Sequence, residues 1–142
     1  MKGVTHMSYA QWMTLSVLPT GFDVTLKNFQ HSWGKFYIND KDDEKSPGSL
    51  NGSLAQDGGD FTFGACGRED ASSGTTGSVD LFDGHIIIGT YNWDCPWGSK
   101  TNTSNWSPSS IVHPHVTYNV SFTGANIHGG ALGSVTCRIS KA

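Results

Sequence analysis

Basic residues are scarce in this chain. Nine lysines and arginines stand against twelve acids in 142 residues, a formal net charge of −3, and no run of Lys or Arg occurs anywhere. A nucleic-acid binder would carry a basic face, so that class of partner is set aside. The same shortage argues against docking driven by anionic lipid, where each surface cation contributes about 1 kcal/mol. Long apolar runs are missing too. The longest, Ile86-Ile87-Ile88, is far below the roughly 20 residues of a bilayer-spanning helix. No apolar segment follows Lys2, so no Sec-type signal peptide is in view, and synthesis in the cytoplasm or export by a non-Sec route is the expectation. Cysteine is limited to Cys66, Cys95 and Cys137. Three cannot all pair within one chain, which favours a fold held by its core over a disulfide framework.

Chemistry of the catalytic or metal-binding kind is also poorly represented. No nucleophile signature surrounds any of the three cysteines, and no catalytic residue is named. His113-Pro114-His115 would put two imidazoles on one face if extended. No cysteine or carboxylate at ligand spacing accompanies them, so no metal and no cofactor is expected. The polar run from Asn39 to Lys45 lacks the glycine and terminal glutamate of a calcium loop and reads as a solvated turn of mixed charge.

Turn formers and short alternating segments are what the chain does have. Eighteen glycines sit among many Ser, Thr, Asn and Asp residues, as expected of short strands joined by turns. Residues 10–18 alternate, with Met13, Leu15 and Val17 on a clean apolar face and Trp12, Thr14, Ser16 and Leu18 opposite. Phe22, Val24 and Leu26 begin a second strand that extends to residue 28. Residues 33–38, 61–63, 78–82, 85–91, 110–122 and 131–139 continue the series. Asp83-Gly84 is a two-residue hairpin signal. No helical period exceeds two turns. The pattern predicts an all-β protein, a single-domain antiparallel β-sandwich.

One segment stands apart. Trp93-Asp94-Cys95-Pro96-Trp97-Gly98-Ser99-Lys100-Thr101-Asn102-Thr103 packs two indoles, a proline, a glycine and a single lysine together. Pro96 has no ladder donor and Gly98 weakens pairing, so a loop displaying aromatic rings beside one cation is predicted. Indoles suit the boundary between water and hydrocarbon, and Lys100 could meet a phosphate as a point charge.

That segment joins others in a family pattern. Tyr9-Ala10-Gln11-Trp12, Ser32-Trp33-Gly34-Lys35, Ala65-Cys66-Gly67-Arg68, Asp70-Ala71, Gly74-Thr75-Thr76-Gly77 and Gly130-Ala131-Leu132-Gly133-Ser134-Val135 stand in order with it. In these blocks the chain resembles the aegerolysins, small lipid-binding proteins of fungi and bacteria. The resemblance implies a sandwich similar to that of the actinoporins, occupying residues 9–142. Residues 1–8 then form an N-terminal extension, for which disorder is one option. It also implies a membrane sphingolipid as ligand, either ceramide phosphoethanolamine or sphingomyelin with cholesterol. A membrane-attack-complex/perforin-type partner would form the pore.

Carried onto this chain residue by residue, the resemblance puts Trp12, Trp33, Trp93 and Trp97 on the lipid-facing surface and Lys100 on the lipid phosphate. Two positions depart from it. The headgroup tyrosine of fungal members falls on Asn92, with Tyr91 one step earlier, and a one-residue shift reverses the face of a strand. Ser73 stands where some fungal members carry a glutamate that tunes which sphingolipid arrangement is bound. The alternative from another class is a lectin-like sandwich stacking exposed Trp and Tyr on sugar rings.

Overall fold

The computed structural model describes residues 7–68, 72–98, 100–110 and 115–142. A 3-10 turn at Met7–Ala10 precedes the first strand. Among the described residues eleven strands follow: β1 (Trp12–Thr20), β2 (Val24–Trp33), β3 (Lys35–Tyr37), β4 (Glu44–Lys45), β5 (Ser53–Ala55), β6 (Phe61–Cys66), β7 (Thr75–Asp83), β8 (Ile86–Cys95), β9 (Thr103–Pro108), β10 (Tyr118–Thr123) and β11 (Gly133–Lys141). One turn of helix, α1 (Pro47–Leu50), is capped by Ser46, whose side chain accepts from the Ser49 amide.

The strands form two sheets that face each other as a sandwich, ordered β10-β11-β1-β6-β3-β4 and β5-β2-β7-β8-β9. All pairings are antiparallel except that of β1 with β11, which runs parallel from Met13–Gly133 to Thr20–Ser140. Alternation decides which side chains enter the interior. In β1, Met13, Leu15 and Val17 are fully buried, as the sequence predicted, and Thr14, Ser16 and Leu18 lie on the outer face. Between the sheets Phe29, Phe36, Phe63 and Trp93 meet at ring separations of 5.1 to 5.9 Å, close to edge-to-face geometry for several pairs. Burying each such ring contributes about 1.5–3 kcal/mol.

Several boundaries differ from the sequence expectation. β2 runs on from residue 28 to Trp33 because Asn28, at φ 56°, absorbs a bulge and pairing resumes at Gln30. The strand predicted over 33–38 therefore shrinks to β3, and Trp33 belongs to β2. Gly34, at φ 84°, carries the chain from one sheet to the other, and a Cβ there would strike the Cys66 carbonyl oxygen. The hairpin loop is Gly84-His85, one residue later than predicted, since Asp83 pairs with Ile86. Of the strand expected at 110–122, residues 118–122 lie in β10, and residues 111–114 are outside the described set.

The mixed-charge run after β3 is more than a solvated turn. Tyr9 donates its hydroxyl to Asp42 Oδ1 at 3.0 Å, and Lys41 Nζ donates to the Tyr9 carbonyl at 2.9 Å. Arg68 grips Glu44 through its two terminal guanidinium nitrogens, Nη1 donating to Oε1 and Nη2 to Oε2, each at 2.9 Å. The run thus latches the 3-10 turn and the end of β6 to one end of the sandwich.

Candidate binding groove

Three strand ends meet at the end of the sandwich where β1 begins. The pairings Trp33–Thr76 and Thr76–Asp94 set the last residues of β2 and β8 on either side of the start of β7. Residues 72–74 lead into β7 and residues 96–102 leave β8. Gly74 packs so tightly on the Cys95 and Pro96 backbone that a Cβ there would overlap the Cys95 carbonyl oxygen. Glycine at that place lets the two loops close on one another.

Between them lies an open groove of about 510 Å³ lined by Trp33, Ser73, Thr76, Asp94, Trp97 and Lys100, with Ser32, Ser72, Gly74 and Pro96. Trp33 is 62% exposed, Trp97 is half-buried and Lys100 is exposed. The Lys100 ammonium has no hydrogen-bond, ion-pair or ring partner among the described residues. Arg138 is the other described cation in that condition. It lines a separate polar groove with Thr20, Ser121 and Ser140 at the opposite end of the sandwich. Asp94 is half-buried in the first groove, where its Oδ1 accepts from the Thr76 hydroxyl at 2.8 Å.

The loop carrying Trp97 and Lys100 is held from below. Asn102 is 6% exposed and its Nδ2 donates to the carbonyls of Asn126 and Gly130 at 2.8 and 3.1 Å. The Cys95 thiol donates to Gly130 O at 3.3 Å and to Gln11 Oε1 at 3.4 Å. Sequence reasoning did not single out Asn102, because its partners lie more than twenty residues away.

Trp33, Trp97, Lys100 and Ser73 therefore share one groove. Trp12 does not line it. It is half-buried at the start of β1, packed on Tyr9, Tyr37 and Cys66 with Lys41 Nζ 5.2 Å from its ring centre. Beneath that patch Lys35, only 7% exposed, donates to the Tyr9 hydroxyl at 2.6 Å. A buried lysine of this kind had no signal in the sequence.

Two of the expected surface residues are core residues. Trp93 is 1% exposed and donates its indole N–H to Thr75 Oγ1 at 3.1 Å. Tyr91 is fully buried, stacked on Phe122 at 4.8 Å, with its hydroxyl 2.7 Å from Ser104 Oγ. Burial pushes the Tyr91 phenol up to about 12. The reason is that Trp93–Cys95 continues β8 instead of opening the loop. Residues 91, 93 and 95 point inward, and Asn92 and Asp94 point out. Asn92 lies on the outer face of the sheet between Ser78 and Asn105, away from the groove lining.

The thiols are poor nucleophiles. All three are buried, and desolvation pushes Cys66 up to about 11, Cys137 up to about 12, and Cys95 also upward. Among the described residues no group of three His, Cys, Asp or Glu side chains could hold a metal ion. Residues 113 and 114 of the His-Pro-His segment lie outside that set, and His115 is exposed. No described helix is long and apolar enough to cross a membrane.

Comparison with known proteins matches residues 10–142 to the family model described as Aegerolysin. Asp-hemolysin of Aspergillus fumigatus is 40% identical over 137 residues, covering 94% of this chain and 95% of that protein. Ostreolysin A6 of Pleurotus ostreatus is 40% identical over 135 residues, covering 92% and 94%. The crystal structure of IP-1A from Alcaligenes faecalis superposes with a TM-score of 0.86 at 33% identity, covering 96% of each chain.

Proposed function

The chain belongs to the aegerolysin family, and from that premise we propose that it is a membrane lipid-binding protein whose groove takes a sphingolipid headgroup. Ceramide phosphoethanolamine, or sphingomyelin with cholesterol, is the ligand on this reading. The observation that supports it is the meeting of Trp33, Trp97 and Lys100, a cation with no partner among the described residues, in one open groove. A phosphate at Lys100 would gain a charge-assisted hydrogen bond, worth about 1.5–3 kcal/mol. The rings beside it are amphipathic and suit the interfacial layer. A fully buried tryptophan side chain of roughly 200 Å² would contribute up to about 5 kcal/mol, and partial insertion much less, so both rings are needed.

With a net charge of −3, the protein has little general attraction for anionic bilayers, and specificity falls to the groove. Pore formation, on this reading, is the work of a perforin-type partner recruited at the target membrane surface. The test is sedimentation with vesicles of defined composition, varied one lipid at a time. Binding to sphingolipid vesicles and not to plain phosphatidylcholine or phosphatidylserine vesicles is expected. Equal binding to all three overturns the proposal. Binding only to glycan-bearing surfaces would favour a lectin.

A further inference from the structure

We propose that residues 125–130, in the connection between β10 and β11, anchor the protein in the hydrocarbon layer of a bilayer, with Ile127 as the side chain that enters the acyl chains. This rests on the membrane reading above and adds to it a contact that lies outside the groove and does not read the headgroup.

Among the described residues three large apolar side chains are exposed: Trp33 at 62%, Ile127 at 55% and Leu54 at 45%. Trp33 lines the groove and Ile127 does not. Ile127 nevertheless stands at the same end of the sandwich. The Asn102 amide donates to its carbonyl at 3.3 Å, and Asn102 is two residues from Lys100. A Cβ built on Gly129 would lie 3.6 Å from the Lys100 carbonyl oxygen. Gly133, where β11 begins, pairs with Met13 at the start of β1. Leu54 lies at the other end, paired with Thr25 near the start of β2.

A single exposed isoleucine is ordinary on a protein surface. What sets this one apart is the turn that carries it. Its companions Asn126, His128, Gly129 and Gly130 are polar or small. Asn and Gly are turn formers, and a β-branched aliphatic is not. The surrounding backbone is tied down all the same. Asn126 Oδ1 accepts from the His128 amide at 3.1 Å, and Asn126 Nδ2 donates to the carbonyls of Gly129 and Ala131 at 2.8 and 3.1 Å. The Asn126 amide donates to Leu132 O at 2.8 Å, and Asn102 Nδ2 donates to Asn126 O at 2.8 Å. Polar bonds on both sides of Ile127 thus fix a turn that keeps the isoleucine in solvent. An apolar group presented on a preformed turn needs little ordering on insertion, so little of its burial gain is offset.

The depth of the contact follows from the side chain. An indole has a polar edge and suits the interfacial layer. Isoleucine has no polar atom and gains only by leaving water. The turn therefore contributes affinity that depends on the hydrocarbon, beside a groove whose lysine depends on the phosphate.

The experiment uses phosphatidylcholine vesicles doped with ceramide phosphoethanolamine, and the whole chain as wild type, Ile127→Ser, Ile127→Leu, Leu54→Ser and Lys100→Ala. About half of the Ile127 side chain is left to bury, so Ile127→Ser should lower vesicle affinity about 3- to 12-fold, with an unchanged melting temperature. Ile127→Leu and Leu54→Ser should bind as wild type does. Depth is read separately, on Ile127→Cys labelled with an environment-sensitive fluorophore. The native thiols are buried, so the label goes to the turn. On vesicles its emission should shift to the blue and be quenched by nitroxides carried on lipid acyl chains, while the same label on Leu54→Cys stays as in water. If wild type binds, Lys100→Ala does not, and the turn label stays as in water, the anchor is overturned and the groove reading stands. If Lys100→Ala binds as wild type does and the turn label is quenched, the groove reading falls and the anchor stands. If wild type binds no sphingolipid vesicle, both fall. A loss in Ile127→Leu equal to that in Ile127→Ser also overturns the anchor, because shape and not apolarity would then be at work. Should Ile127→Ser fail to fold, Ile127→Ala takes its place, and wild-type affinity in that variant overturns the proposal.

Discussion

The indole N–H of Trp93 donates to the hydroxyl of Thr75 at 3.1 Å inside the core. One residue along each strand, on the outer side, Thr76 donates to Asp94 at 2.8 Å. The same two strands thus make two threonine-anchored bonds facing opposite ways, one holding the sandwich together and one shaping the groove. A motif that looks like a single recognition loop divides at Cys95 into a structural half and an exposed half.

That division separates the tryptophans experimentally. Trp93→Ala removes a fully enclosed ring and should cost about 3–5 kcal/mol of stability, enough to unfold many small domains. Trp33 is 62% exposed, so Trp33→Ala should change stability by no more than about 0.5 kcal/mol while weakening binding to sphingolipid vesicles. Thermal melting and sedimentation on the two variants check this. A stable, non-binding Trp93→Ala would contradict the burial argument.

Lys100→Ala should lower vesicle affinity about 10- to 150-fold, by loss of one charge-assisted bond, with an unchanged melting temperature. Arg138→Ala is the matched control. Both side chains are exposed cations without partners among the described residues, but Arg138 lines the groove at the far end of the sandwich. β1, which runs between the two ends, spans about 26 Å at 3.3 Å per residue. If binding is oriented, Arg138→Ala leaves it intact. Equal losses in the two variants would mean that binding follows total charge.

Much of this was legible in the sequence, and the failures have physical causes. The apolar alternation of Met13, Leu15 and Val17 announces β1, and the grouping of Trp97 and Lys100 marks the groove. The alternation in Tyr91-Asn92-Trp93-Asp94-Cys95 is just as regular, but Pro96 and Gly98 drew the loop boundary three residues too early. β9 was missed because it is an edge strand whose inward positions include only one large ring, the half-buried Trp106. The seating of Trp33 beside Asp94 through Thr76 depends on strand register across the sheet, which no local pattern encodes. The burial of Lys35 under Tyr9 is tertiary for the same reason.

The groove should also be sensitive to its hidden glycine. A methyl group at Gly74 would overlap the Cys95 carbonyl, so Gly74→Ala must push the two groove loops apart. A cost of about 1–3 kcal/mol, as for other overpacked sites, is expected, together with weaker vesicle binding. Gly48→Ala, in α1, meets nothing within 4 Å and should be neutral or stabilising by up to about 1 kcal/mol. Melting curves for both variants, with vesicle sedimentation for Gly74→Ala, distinguish a tight contact from a permissive loop.

Acid should weaken the fold in two separable stages. His31 packs edge-on against Phe36 at 5.1 Å. Burial, reinforced by the nearby Arg68 charge and opposed by Glu44, holds its pKa below the ordinary 6.5. The unfolded chain therefore takes up that proton more readily than the folded one. The contribution is fully present above 6.5 and is lost as pH falls through that value toward the depressed folded one. Glu44, held low by the hydrogen bond from Arg68 against some burial, follows only below its ordinary 4.5. Asp83 is pushed up by burial but pulled further down by hydrogen bonds from Tyr118 and Lys141, and it follows below 3.8. Between about pH 7 and pH 5, then, the fall in melting temperature should depend on His31. In His31→Gln it should flatten over that interval and keep its steep loss below about pH 4. An unchanged slope between pH 7 and pH 5 in that variant would show that the imidazole is protonated as easily in the fold as outside it.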